Sequence, residues 1–121
     1  MSESIRVVVA DDHPPLREGV ITSLASDADI VVVGQAADAD GAFQAVREEL
    51  PDVSMSGGGL QAAARIATTC PGTRIIMLTG SEDEDDLLAA MRAGASGYVL
   101  KGVSAAELTA RIMDEGPARP V

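Results

Sequence analysis

The chain has 121 residues, 46% of them hydrophobic, a formal charge of −10, and only Phe43 and Tyr98 as aromatics. That length makes one domain able to bury a core without crosslinks, the single Cys70 excludes an intrachain disulfide, and the acidity speaks against nucleic-acid binding, which needs a basic surface. No apolar run reaches a membrane span and Met1 to Ser4 offers no signal peptide, so the expectation is a soluble, cytoplasmic protein in a reducing setting.

The apolar run Val7 to Ala10 is followed at once by Asp11, Asp12, His13 and Pro14. A short β-branched run without polar alternation reads as a strand covered on both faces, as in a parallel sheet. The carboxylates then stand at its carboxyl end, the edge where ligands bind in such sheets. Two adjacent carboxylates repel unless a cation relieves them, and a divalent ion with oxygen ligands, most simply Mg²⁺, does so. Capping a helix that begins at Pro14 would need one Asp, not two. His13, a loop histidine beside acids, reads as a cap or surface neighbour.

Beyond Pro14, Leu16, Val20, Ile21 and Leu24 recur at helical spacing, predicting a helix that ends near Ser26. Ile30 to Val33 is a second buried strand, and Asp38 or Asp40 caps a helix with Phe43, Val46 and Leu50 inward. At PDVSMSGGG, from Pro51 to Gly59, the rhythm breaks. The text looks too short and too polar for a covered strand, so the central third strand is expected to be shortened or missing. Gly57, Gly58 and Gly59 read as a flexible turn, since no Lys-Ser/Thr follows to make an anion-cradling loop.

Leu60, Ala63, Ala64, Ile66 and Ala67 restore a helix, ended by Cys70, Pro71 and Gly72, and RIIMLT from Arg74 to Thr79 is another strand. SEDEDD opens the next helix, with Ser81 as cap and acids in the first turn, where the helix dipole favours them. It lacks the Gly and ligand alternation of a calcium loop. Leu87, Leu88, Met91 and Ala95 form the inner face, and a strand from Tyr98 to Leu100 delivers Lys101 to the sheet edge. Ser104 and Glu107 make a capping box for the last helix, with Leu108, Ile112 and Met113 inward. The fold class is α/β, a doubly wound parallel sheet. Residues 1–115 form the domain and 116–121 begin a linker.

Asp11 and Asp12, Thr79 and Lys101 thus share one edge. Acids that hold Mg²⁺, a hydroxyl donor and an ammonium together suit a phosphoryl group. These features, with LREGV, RIIMLTGSEDEDDLLAAMRAGASGYVLK and the SAAEL helix, make the chain resemble a response-regulator receiver domain, flavodoxin-like and CheY-like, of the kind attached to LuxR-type DNA-binding domains. The resemblance implies a two-component phosphoprotein that is not an enzyme. It implies Mg²⁺ on Asp11, Asp12 and Asp52, phosphoryl contacts from Thr79 and Lys101, and a switch made of Thr79 and Tyr98. The partners it implies are a sensor histidine kinase, a C-terminal DNA-binding domain beyond this segment, and a second copy as homodimer. The departure is central: Asp52 matches either the Pro-Asp pair that precedes the third strand in the family or the phosphoacceptor that ends it, not both. The alternative function is accordingly a pseudo-receiver, an interaction domain that has lost phosphorylation.

Overall fold

A computed structural model describes residues 4–57, 60–80 and 83–115. Strands β1 (Ile5–Ala10), β2 (Ile30–Ala36), β3 (Val53–Gly57), β4 (Arg74–Thr79) and β5 (Gly97–Leu100) alternate with helices α1 (Pro14–Ala25), α2 (Ala39–Glu49), α3 (Leu60–Thr69), α4 (Glu84–Arg92) and α5 (Ala105–Glu115). The sheet runs β2-β1-β3-β4-β5 with every neighbour parallel. Strand residues of alternate parity serve two helical layers. Val7, Val9, Val53, Met55, Ile76, Leu78 and Val99 pack with Leu24 of α1 and with Leu108 and Ile112 of α5. Val8, Ile75 and Met77 turn to the other face, against Val46 of α2, Ile66 of α3 and Ala90 of α4.

The third strand is short but present, and it lies at the centre of the sheet. Val53 to Ser56 are all buried, in register with Val7 to Ala10 on one side and with Arg74 to Met77 on the other. Two flanking ladders hold the backbone, so only alternate side chains need be large. Val53 and Met55 fill the α1/α5 side, while Ser54 and Ser56 face the other layer. Their hydroxyls are buried with no hydrogen-bond partner among the described residues. Each such group costs about 1–3 kcal/mol, which is why the text looked unlike a covered strand.

Several expected faces are rotated. Leu50 is not inward: it is the C-cap of α2 in the left-handed region, φ 47°, and is 68% exposed. On α4 only Ala90 is fully buried, and Leu88 and Met91 are about half exposed. The small Ala90 meets the sheet, and Gly94 at φ +110° turns the chain so closely past α3 that a Cβ there would lie 2.5 Å from the Ala67 methyl. Met113 is likewise exposed. Asp38 is the cap of α2, accepting Gly41 N–H at 2.7 Å, and Asp83 caps α4. The expected roles of Ser81 and of the 116–121 linker fall outside the described residues.

Candidate functional site at the carboxyl edge of the sheet

Asp11 leaves the end of β1 with its backbone N–H donating to Ala36 and its carbonyl accepting Arg17 Nη1 at 2.8 Å. Its carboxylate is buried. One oxygen accepts the His13 N–H at 2.7 Å, which folds the β1–α1 turn, so Asp11 does not cap α1. The other, Oδ2, lies 3.4 Å from Lys101 Nζ and accepts no hydrogen bond among the described residues. Asp12 is exposed, with its Oδ1 2.9 Å from His13 Nδ1, and the three side chains bring ligand atoms within 4.8 Å of one another. His13 is the N-cap residue and sits between the two carboxylates.

Thr79 ends β4, and Lys101 follows β5. The Lys101 N–H donates to the Thr79 carbonyl at 2.7 Å, so the two residues are held side by side by the ladder. Tyr98 stands on the adjacent strand, 38% exposed, and shares with Thr79 a cavity of about 250 Å³ against Leu87 and Ala90 of α4. Asp11, Asp12, Thr79 and Lys101 therefore gather at one edge.

Asp52 does not join them. It precedes β3 at the opposite edge, where its carboxylate accepts the Arg6 N–H at 2.9 Å and its backbone bonds Arg6 and Arg74. Five residue steps of extended chain lead from it to Gly57, about 16 Å at roughly 3.3 Å per step. It is thus too distant to complete a metal site with Asp11 and Asp12 or to touch Lys101. The reason is register: Val53 pairs with Val7, which puts Asp52 level with Arg6 and leaves Gly57 at the carboxyl end.

Gly57 is the residue that sequence reasoning missed. A Cβ built on it would fall 1.9 Å from Asp11 Oδ2, so the Asp11 carboxylate fills the space in which a side chain at the end of β3 would stand. Its signal was available as strand parity counted from Val53.

A family model, the response regulator receiver domain, matches residues 7–113. The chain is 34% identical, over an alignment 125 positions long, to the probable transcriptional regulatory protein NarL of Mycobacterium tuberculosis, covering 98% of the chain and 58% of that relative. It is 41% identical over 104 residues to the oxygen regulatory protein NreC of Staphylococcus haemolyticus, covering 80% and 48%. The chain thus spans about half the length of these relatives. The receiver-domain structure of M. tuberculosis NarL superposes with a TM-score of 0.87 at 33% identity, over 93% of this chain and 95% of that one. Among the described residues no helix is long and apolar enough to cross a membrane. With the sheet order, the acidic turn after β1 and the Thr79–Lys101 pairing already in view, these likenesses identify the chain as a member of the response regulator receiver domain family.

Proposed function

We propose that the chain is the receiver module of a LuxR-type DNA-binding response regulator and works as a phosphorylation-independent interaction domain. The observation that carries this is the hydrogen bond from Arg6 N–H to the Asp52 carboxylate at the amino edge of the sheet. A phosphoacceptor has to lie beside the acidic pair, the hydroxyl and the lysine, and Gly57 occupies that place. Asp11 itself neutralises Lys101, so the edge holds a charge pair without phosphate.

Asp11 and Asp12 fit a weakly held Mg²⁺, since the buried Asp11 Oδ2 accepts no hydrogen bond among the described residues and Asp12 is open to solvent. The ion would relieve repulsion between the two carboxylates. The output surface is the side formed by α4, β5 and α5, where Leu88, Met91, Tyr98 and Met113 stand exposed. It would meet a second copy or a sensor kinase, and a DNA-binding domain joined after residue 121 would read the result. Incubation with acetyl phosphate and Mg²⁺, followed by mass mapping of acyl phosphate, tests the reading. The expected result is no adduct at Asp52. Stoichiometric modification there would restore the phosphoacceptor reading.

A further inference from the structure

Asp12 is the exposed member of the acidic pair, and its place is set by the backbone on either side of it. The helix that follows does little at its own start to hold that backbone. His13, the N-cap residue of α1, makes no capping hydrogen bond with its side chain, no acidic residue stands in the first turn, and proline occupies the first helical positions. The turn is held instead from Arg17. Its backbone N–H donates to the His13 carbonyl at 2.9 Å, and its Nη1 donates to the Asp11 carbonyl at 2.8 Å. One residue thus grips the carbonyls before and after Asp12. The guanidinium is fixed from a second side as well, because Nε donates to Gln35 Oε1 at 3.1 Å, and Gln35 stands near the end of β2 in register with Val9.

We propose that Arg17 is the positioning residue of the acidic turn: by holding the carbonyls that flank Asp12, it keeps the Asp12 carboxylate at the spacing from Asp11 that a divalent cation requires. The inference rests on the reading of Asp11 and Asp12 as a Mg²⁺ site. Mg²⁺ demands near-ideal octahedral geometry, so a carboxylate on a loose turn holds it poorly. Asp11 is fixed by burial, whereas Asp12 is not. Groups that orient metal ligands from behind are worth about 10–100-fold in metal affinity. Charge alone predicts the opposite sign. A guanidinium beside a cation site repels the ion, and its removal would tighten binding. The sign of the effect therefore separates positioning from simple electrostatics. The fork of the guanidinium matters too, since a lysine keeps the charge but presents no rigid planar group to span the Asp11 carbonyl and Gln35.

The test is Mg²⁺ titration of the ¹⁵N-labelled parent, Arg17→Met, Arg17→Lys and Gln35→Met chains at constant ionic strength, followed at the Asp12 and His13 amides, with a thermal melt of each. Arg17→Met should weaken Mg²⁺ binding about tenfold or more. Gln35→Met, which leaves every charge in place, should weaken it in the same direction, and Arg17→Lys should fall between the parent and Arg17→Met. Without metal, hydrogen exchange at the His13 amide, which donates to Asp11 Oδ1, should quicken in Arg17→Met while the amides in the middle of β1 stay protected. Tighter or unchanged Mg²⁺ binding in Arg17→Met, or an unchanged affinity in Gln35→Met, would overturn the proposal. Gln35 is exposed, so its variant keeps the fold and gives the answer if Arg17→Met does not fold. A parent chain with no saturable Mg²⁺ response at Asp12 would instead remove the metal reading, and the exchange rate at His13 would then show separately whether Arg17 holds the turn.

Discussion

Asp11 carries three tasks at once: it folds the β1–α1 turn through His13, pairs with Lys101, and fills the space beside Gly57. Crowding at Gly57 makes a sharp expectation. In Gly57→Ala the methyl would have to displace a buried carboxylate that is anchored at its other oxygen, and overpacking of this kind costs about 1–3 kcal/mol. Chemical denaturation should show that loss, and an unchanged midpoint would mean that Asp11 does not lean into this space. Asp12 is the freer of the pair. Asp12→Asn removes one of two adjacent charges and should abolish the Mg²⁺-induced amide shifts around the turn. A variant that titrates like the parent would move the cation elsewhere.

At the scale of elements, the ends of helices show where local chemistry and backbone geometry disagree. The C-terminus of α2 closes with Leu50 N–H donating to Val46 at 2.8 Å, in a left-handed conformation that glycine takes without a Cβ penalty. Leu50 is largely exposed, so little packing is lost on replacement. Leu50→Gly should stabilise the domain by about 1 kcal/mol. By calorimetry that is a rise in Tm of about 3–5 °C for a domain of this size. A lower Tm would show that the leucine side chain contributes more than its exposure suggests. At the other end of α2, Asp38 caps through Gly41, and α5 opens with Ser104 Oγ accepting Glu107 N–H at 3.2 Å. Both are local signals, read from a few residues.

For the molecule as a whole, the charge of −10 sets the expected behaviour. A basic surface is what draws proteins to phosphate backbones, and here acidic side chains outnumber basic ones 19 to 9. The isolated chain should therefore give no duplex shift in a mobility assay at moderate salt. Tight binding that weakens as salt is raised would contradict the assignment of DNA contact to a separate domain. The paired serines of β3 also matter at this scale. They place two hydroxyls, unpartnered among the described residues, in the middle of the sheet, and the strand persists because β1 and β4 hold it on both sides.

Much of this was legible without coordinates. Continuous β-branched runs announce covered strands, Asp38, Ser104 and the acidic first turn of α4 announce helix starts, and adjacent Asp11 and Asp12 at a strand end announce an electrostatic problem that needs a counter-charge. These signals are local, so a few neighbouring residues suffice to produce them. Asp52 is different, because its two readings depend on how far β3 slides against β1, and register is a pairing between residues 46 apart in the chain, Arg6 and Asp52. The same holds for Leu88 and Met91, whose outward turn depends on how α4 docks through Ala90 and Gly94. Composition and periodicity determined the layers and the order of elements. Only the tertiary structure decided which side chain ends the central strand, because a single step of strand register exchanges the two faces of the sheet and the packing partners that choose it lie far away in sequence.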